Sequence, residues 1–184
     1  MSQAISSSWQ SFSDQISLET QLRLQLDVLP HDFDPASGQM QLNASLLETL
    51  LALDKPKRPL LVDDERNDYS GELQLISARL DLVMAMLGRL SPAAEALRHP
   101  LRLNACGALL DPALTGSGTT QSPRRLLRLY FEHCPSVALD LSGTLDRDHP
   151  GFVGFDTLSP AVHDGLERLV FMHHRRQIAA SRGK

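Results

Sequence analysis

The sequence predicts an α+β fold, in which a small antiparallel sheet or barrel carries long inserted helices and a C-terminal helix. Three observations lead to this prediction. Several short segments alternate apolar and polar residues and are separated by turn residues, as the strands of an antiparallel sheet are. Residues 71–90 carry apolar side chains at heptad spacing. Residues 159–184 begin with a helix cap and continue with an apolar stripe of helical period.

The heptad pattern at residues 71–90 is the most regular helical signal in the chain. Its apolar residues follow each other at alternating spacings of three and four, which is the a and d pattern of a coiled coil. These residues are Leu73, Ile76, Leu80, Val83, Leu87 and Leu90. Leucine at the a positions and β-branched residues at two d positions shift the packing preference from dimer towards tetramer. We therefore predict self-assembly, with a homotetramer favoured; the alternative is a helix buried within its own subunit.

The predicted elements form a single domain that spans residues 1–184. An N-terminal segment at 1–17 places Trp9, Phe12 and Ile16 on one face of a short amphipathic helix. The first strand, at 18–29, alternates most clearly. Its core-facing residues are expected to be Leu22, Leu24, Leu26 and Val28.

Residues 41–90 are predicted to be a helical oligomerisation insertion between the first strand and the others. Asn43 or Ser45 is expected to cap its first helix, which is apolar enough to pack on the heptad helix. The remaining barrel strands are predicted within 98–158, with a turn at Ser142 and Gly143. The C-terminal helix and tail, 159–184, begin at Ser159, and the helix is expected to end in the basic residues 173–176. These residues would complement the helix dipole and stay solvated; the alternative is that they dock an anionic partner or ligand.

The composition excludes several classes of protein. The net charge of −4 argues against binding of a nucleic-acid polymer, which requires clustered Lys and Arg. The two cysteines, Cys106 and Cys134, form no CxxC pair and suit a reducing cytoplasm. Residues 1–22 show no signal peptide, and no apolar run approaches the length of a membrane span. We therefore expect a soluble, cytoplasmic protein without a membrane partner.

No pattern of catalytic or metal-binding residues stands out. His133 and Cys134 adjoin each other, but they lack partners at metal-ligand spacing, so a core or loop role is the simpler interpretation. The Gly-Ser-Gly segment at 116–118 lacks the Lys of a phosphate loop, and no Ser/His/Asp order indicates a triad. We expect no catalytic residue, no metal site and no cofactor.

The order of these elements resembles a PilZ domain. The resemblance rests on the succession of strands, on the Gly-Phe-Val-Gly-Phe segment at 151–155 and on the terminal helix at 166–177. The heptad helices between the first and second strands resemble the atypical, tetrameric PilZ subgroup. The resemblance covers residues 18–180 and implies a small PilZ-like β-barrel that acts in signalling by the bacterial second messenger cyclic di-GMP.

PilZ domains bind cyclic di-GMP through an Arg-xxx-Arg segment ahead of the first strand and an Asp/Asn-x-Ser-x-x-Gly motif on the next. Arginines suit this ligand because they make bidentate contacts to phosphates and guanine edges. In this sequence no arginine precedes the first strand. The second motif aligns best with residues 102–107, where Arg102 replaces the acidic residue, Asn104 replaces Ser, and Gly107 keeps the final Gly. Together with these three, the ligand-binding candidates are Arg124, Arg125 and Arg128.

Three functions follow from the resemblance and its departures. The one we expect is a non-enzymatic signalling adaptor that self-assembles, contacts protein partners of a signalling pathway and binds cyclic di-GMP weakly or not at all. The second is a true cyclic di-GMP receptor that replaces the missing motif with Arg102, with the strand arginines at 124, 125 and 128, or with Arg175 and Arg176. The third is an enzyme, which would need a pocket that joins Cys106 or Cys134 to a histidine.

Overall fold

A computed structural model describes residues 2–30, 37–53, 97–115 and 122–182, together with six helical positions between residues 76 and 86. Three helices are numbered in chain order: α1 (Ser2–Asp14), α2 (Ser37–Leu53) and α3 (Pro160–Arg182). A single helical turn lies at Pro112–Thr115. The strands are β1 (Leu18–Val28), β2 (Arg98–Asn104), β3 (Gly107–Leu110), β4 (Arg124–Phe131), β5 (Cys134–Leu145) and β6 (Phe152–Phe155).

The six strands form a closed antiparallel barrel in the order β1-β2-β3-β6-β5-β4, and β4 pairs with β1 to complete the ring. Closure leaves no long unpaired sheet edge, which small all-antiparallel sheets otherwise have to protect. The interior is filled by the apolar residues of alternate positions. The fully buried ones include Leu103, Leu127, Leu129, Leu139, Leu141 and Val153. The predicted α+β fold with a small barrel and a C-terminal helix is confirmed.

The alternation of β1 is confirmed in its first half and fails at its end. Leu22 and Leu24 are buried, and Leu26 is half-buried. Val28 is 47% exposed, although the sequence pattern placed it in the core. It is the last residue of the strand and pairs with Arg125 near the start of β4, so it lies at the rim of the barrel rather than over its interior.

The predicted turn at Ser142 and Gly143 is wrong, because β5 continues through both residues to Leu145. Gly143 pairs with Arg125 on one side and with Phe155 on the other. A Cβ atom at Gly143 would lie 2.5 Å from the carbonyl oxygen of Gly154, so the close approach of two strands requires glycine here. The glycine was interpreted from the sequence as a turn residue, but its role is to allow this close contact between strands.

Helix α2 belongs to the core of the domain. Leu46, Leu47 and Leu50 are buried and lie in the same apolar cluster as the barrel strands and α3. The helix begins at Ser37, six residues before the predicted cap Asn43, which is buried within the helix. The expectation that Asn43 or Ser45 caps α2 is therefore wrong, and this part of the predicted insertion packs on the barrel and α3.

The start of α3 follows the sequence prediction. The backbone N–H of His163 donates to the carbonyl oxygen of Ser159 at 3.0 Å, and the Val162 N–H lies 3.4 Å from the Ser159 hydroxyl oxygen. The core-facing stripe of α3 is buried as expected and comprises Val162, Leu166, Leu169 and Val170. The helix continues to Arg182, so the basic residues 173–176 do not lie in its last turn, and the dipole interpretation is wrong.

The heptad segment is described at six positions, all helical and all exposed. Ile76, Leu80 and Val83, three of the predicted interface residues, are 52%, 59% and 50% exposed, respectively. The other three, Leu73, Leu87 and Leu90, lie outside the described residues. None of the helices in the described part of the chain is long and apolar enough to cross a membrane.

Candidate ligand site on the barrel

The segment that aligns with the PilZ glycine motif forms the β2–β3 hairpin, and Asn104 holds this hairpin to the N-terminal segment. The Asn104 side chain is 2% exposed. Its Nδ2 donates to the carbonyl oxygen of Phe12 at 3.0 Å and lies 3.4 Å from the Ser17 hydroxyl, while its Oδ1 accepts the backbone N–H of Cys106 at 2.8 Å. Both polar atoms of the amide therefore hold the fold together at this hairpin.

Helix α1, which precedes β1, carries two aromatic residues and packs against this hairpin. Phe12 of α1 is fully buried, and its ring lies 5.0 Å from that of Phe152 on β6. Trp9 stacks on His149 with ring centroids 4.1 Å apart and meets Phe152 edge-on at 5.1 Å. The segment ahead of β1 thus makes an apolar contact with β6.

Arg102 lies on the outer face of β2, between α1 and β1. Its guanidinium carbon lies 5.6 Å from the centre of the Phe12 ring, within the range of a cation–π contact. Its Nε lies 3.5 Å from a carboxylate oxygen of Glu19, directly across the strand pair. Arg102 and Glu19 therefore form an ion pair in which Nε makes no hydrogen bond, since Arg102 Nε has no hydrogen-bond partner in the described structure.

Gly107 is required by the packing of β3 against β6. A Cβ atom at this position would lie 2.6 Å from the carbonyl oxygen of Val153 and 2.6 Å from Cε2 of Phe152. A contact that short with backbone cannot be relieved by moving a flexible side chain. The glycine therefore allows the barrel strands to approach each other.

Two of the β4 arginines are paired with carboxylates. Arg124 Nη2 donates to Asp156 Oδ2 at 2.7 Å. Arg128 Nη1 lies 2.9 Å from Asp27 Oδ2 on β1, and its Nε lies 3.7 Å from Asp140 Oδ1 on β5. The longer of these distances exceeds hydrogen-bond range, and Asp140 Oδ1 is a buried acceptor without a hydrogen bond among the described residues.

Arg125 differs from its two neighbours because it is 6% exposed. Its Nη1 donates to the carbonyl oxygens of Ser122 and Arg124, the latter at 3.0 Å. Burial lowers the pKa of the Arg125 guanidinium from its ordinary value. The side chain thus bonds to the backbone at the start of β4 and is poorly placed to reach a ligand in solution.

The structure brings together only some of the candidate residues. Arg124 and Arg128, four residues apart, share one face of β4, and Arg125 lies on the other. Arg102 is opposite Glu19 at the start of β1, whereas Arg128 is opposite Gln25, six residues further along. This offset corresponds to about 20 Å along the strand. Arg128 therefore lies far from Arg102 on this side of the barrel. On the other side, Arg124 is in register with Gly107 through Thr144 and Gly154.

The partner groups of these candidates were not found by sequence reasoning. Glu19, Asp27, Asp140 and Asp156 neutralise three of the four candidate arginines. Three of the carboxylates lie on strands, so they depend on the register between strands that are far apart in sequence. The alternation in β1 placed Glu19 and Asp27 on the solvent face, but it contained no signal for their partners.

The two thiols are not activated. Burial raises the pKa of Cys134. Burial and the nearby Glu167 carboxylate raise the pKa of Cys106, whose Sγ lies 3.4 Å from Gln15 Oε1, a contact that acts weakly in the opposite direction. Both thiols therefore stay protonated at neutral pH, and a thiol is a poor nucleophile and metal ligand.

One group of potential metal ligands occurs in the described residues. His163, Asp164 and Glu167 place ligand atoms within 4.8 Å of one another on the first turns of α3. Asp164 and Glu167 are exposed, and His163 is half-exposed. Solvated acidic groups on one helix turn are a common surface feature. We therefore assign no metal site to these three residues.

The sequence matches a known protein family. The family described as the atypical PilZ domain, a cyclic di-GMP receptor, matches residues 51–183, which is more than half of the chain. The chain belongs to the atypical PilZ family. None of the curated proteins matches this sequence.

The atypical PilZ domain also resembles a solved structure along nearly its whole length. The crystal structure of a pathogenic protein from Xanthomonas campestris superposes with a TM-score of 0.63 at 22% sequence identity. The match covers 91% of this chain and 92% of the other. That protein is described as a new tetrameric PilZ domain self-assembled via an unusual helical bundle. At this identity the likeness shows a shared fold.

Proposed function

We propose that this atypical PilZ protein is a non-enzymatic adaptor of the bacterial cyclic di-GMP system that self-assembles through the heptad helix at 71–90 and binds cyclic di-GMP weakly or not at all. The chain belongs to a family described as cyclic di-GMP receptors, and this supports a role for the protein in cyclic di-GMP signalling. The raised pKa values of Cys106 and Cys134 support the absence of thiol catalysis. Protein partners of the assembled oligomer would then carry the signal.

One observation carries the weak-binding part of the proposal: the candidate ligand groups already have partners inside the domain. Asn104 uses both amide atoms to hold the hairpin, and Arg124 and Arg128 face carboxylates at 2.7 Å and 2.9 Å. A phosphate would have to displace these ion pairs and would also meet the negative charge of the released carboxylates. Each such exchange lowers the net affinity.

A second observation supports the self-assembly. Ile76, Leu80, Val83 and Met86 are helical, and each is at least half exposed. Their spacings of four, three and three place them along one stripe of the helix. An apolar helical stripe of this kind is typical of a protein–protein interface. The helical bundle of the Xanthomonas campestris tetramer supports a tetramer as the assembled state.

A calorimetric titration with cyclic di-GMP at low and moderate salt tests the weak-binding proposal. We expect little or no heat at moderate salt, because partly buried arginines that retain their carboxylate partners attract the ligand only through long-range, screened charge. Micromolar binding that survives moderate salt would overturn this part of the proposal. Light scattering of the same sample tests the assembly, for which we expect a mass of four chains.

The alternative is a true cyclic di-GMP receptor with relocated arginines. It is favoured by the description of the family as a receptor and by the shared face of Arg124 and Arg128 on β4. Arg175 and Arg176 on α3 are exposed and would be further contributors. In this case, replacing Arg124 and Arg128 by Gln would abolish the binding heat, whereas replacing Arg147, an exposed arginine elsewhere, would not.

A further inference from the structure

The outer face of the barrel wall pairs opposite charges across neighbouring strands with one exception. Arg102 is directly opposite Glu19, and Arg128 is directly opposite Asp140. At the end of β1–β2 pairing, however, Arg23 is directly opposite Arg98. Like charges in directly opposite positions destabilise an antiparallel pair. The arrangement therefore places two guanidinium groups on one patch of surface.

These two arginines line a cleft in the barrel wall, and the part of the cleft that Arg98 also lines extends to α3. One part of the cleft, of about 240 Å³, is lined by Arg23, Arg98 and Glu132. The adjoining part, of about 310 Å³, shares Arg98 and Glu132 and reaches α3. Its other ionisable lining residues are His133, His173 and Arg176.

The charge of the cleft is opposite to that of the whole protein. The protein has a net charge of −4, but the cleft brings together three arginines, two histidines and a single carboxylate. Glu132 forms an ion pair with Arg98, and the side chains of this pair are 65% and 50% exposed, respectively. An exposed pair of this kind is worth little free energy and yields readily to a stronger anion. The apolar floor of the cleft is formed by Leu22, Phe131, Leu50 and Leu169.

We infer that this cleft is a binding site for a compact multivalent anion, namely the phosphate group of a small molecule. Guanidinium groups from adjacent strands present planar forks that match phosphate oxygens, and each can make charge-assisted hydrogen bonds to them. The half-enclosed shape and small volume suit a phosphate group better than an extended acidic peptide, which needs a longer groove. This site shares none of the residues of the hairpin motif, and the inference does not depend on the proposed adaptor function.

The test uses the full chain and pyrophosphate as the probe, measured by titration calorimetry. We expect saturable binding of one pyrophosphate per chain, weakened about tenfold by Arg23→Gln, by Arg98→Gln or by Arg176→Gln, since each change removes one charge-assisted contact. Arg176 lies on the exposed side of a helix, so its replacement keeps the test valid even if a strand variant folds poorly. Arg147→Gln, with the same charge change on an exposed residue outside the cleft, should bind as the wild type does.

A thermal melt gives a second readout. Pyrophosphate should raise the melting temperature of the wild type more than sodium chloride of equal ionic strength, because bound ligand stabilises the folded state. At the same pyrophosphate concentration the rise should be smaller in Arg23→Gln and retained in Arg147→Gln. Guanosine monophosphate should bind as well as pyrophosphate if the site reads phosphate alone, and more tightly if the ligand is a nucleotide. Equal effects of chloride, unchanged binding in all three cleft variants, or binding of a polyglutamate peptide without binding of pyrophosphate would overturn the inference.

Discussion

The side-chain amide of Asn43 on α2 forms two hydrogen bonds with the backbone of Asp140 on β5. Asn43 Nδ2 donates to the Asp140 carbonyl oxygen at 2.6 Å, and the Asp140 N–H donates to Asn43 Oδ1 at 3.1 Å. Strand β6 pairs with β5 only at residues 143–145. The amide of Asn43 therefore takes the place of a neighbouring strand where the ladder has ended, and it fixes α2 against the barrel.

Replacing Asn43 with Leu should destabilise the protein strongly. The substitution keeps a side chain of similar size but leaves the N–H and carbonyl of Asp140 without their partners, at a cost of about 1–3 kcal/mol for each buried group. Urea denaturation measures the effect. Gln41→Leu, at an exposed position of the same helix, is the control and should change the free energy of unfolding little. Equal stabilities of the two variants would show that the amide bridge contributes nothing.

Asp140 should also make the stability depend on pH. Burial is the main cause that raises the pKa of its carboxyl; Arg128 opposes the rise and Asp27 adds to it. A raised pKa means that the folded state binds the proton more tightly than the unfolded chain. The stability contributed by protonation is therefore present at low pH and is lost as the pH rises from the ordinary Asp value, about 3.9, through the raised value.

Comparison with Asp140→Asn isolates this effect from the other carboxylates. Urea denaturation of both proteins at a series of pH values should show the variant gaining stability relative to the wild type as the pH rises through this window. Above the window the difference should be constant. A difference that stays constant throughout, or that moves in favour of the wild type, would mean that the Arg128 ion pair outweighs the burial of Asp140.

Local patterns predicted those elements whose structure depends on local sequence. The alternation of β1 and β4, the Ser159 start of α3 and the apolar stripe of that helix were all visible in short windows. The patterns failed where a contact with a residue far away in the sequence determines the local structure. Asn43 looked like a helix cap because Asn is a preferred N-cap residue, yet its partner lies 97 residues away.

The same limit applies to the candidate site. The hairpin that carries Asn104 and Gly107 could be located from the motif alignment, but the hydrogen bond from Asn104 to Phe12 joins residues 92 apart. The facing positions of Arg23 and Arg98 depend on the register of β1 against β2, and β1 ends 70 residues before β2 begins. Alternation fixes which face a residue occupies, and tertiary pairing fixes its partner.

Trp9 provides a spectroscopic probe for the docking of α1. It is the single tryptophan of the chain and stacks on His149 beside the buried Phe12. Phe12→Ala should cost about 3–5 kcal/mol of stability, as expected for a fully buried aromatic residue, and should release α1 from the hairpin. Trp9 emission should then shift to longer wavelength under native conditions. Ile16→Ala, at a residue that is 50% exposed, should leave the emission unchanged.

An unchanged emission spectrum in Phe12→Ala would show that α1 stays docked through Trp9 alone. In that case the packing of Phe12 against Phe152 would contribute to stability without controlling access to the β2–β3 hairpin. Urea denaturation of the same variant separates these two contributions, because it measures the loss of packing whether or not the helix is released.

Gly107→Ala should lower the stability by about 1–3 kcal/mol, since the new methyl group would press against the Val153 backbone and force the strands apart. Gly38→Ala is the matched control, because a Cβ atom there has nothing within 4 Å. Gly38 lies in the first turn of α2, where Ala should leave the stability unchanged or raise it slightly. Thermal melts of both variants measure the contrast, and equal melting temperatures would argue against the close strand contact.

The exposed apolar stripe at residues 76–86 supports the final prediction. A double variant, Leu80→Glu with Val83→Glu, places two carboxylates on a surface whose burial is proposed to drive assembly, and carboxylates are rarely buried without a partner. We expect the oligomer to dissociate to a monomer or to aggregate, as measured by light scattering. Leu42→Glu, at a residue on α2 that is 59% exposed, introduces the same change outside the stripe and should keep the wild-type mass. A wild-type mass in the double variant would place the interface elsewhere.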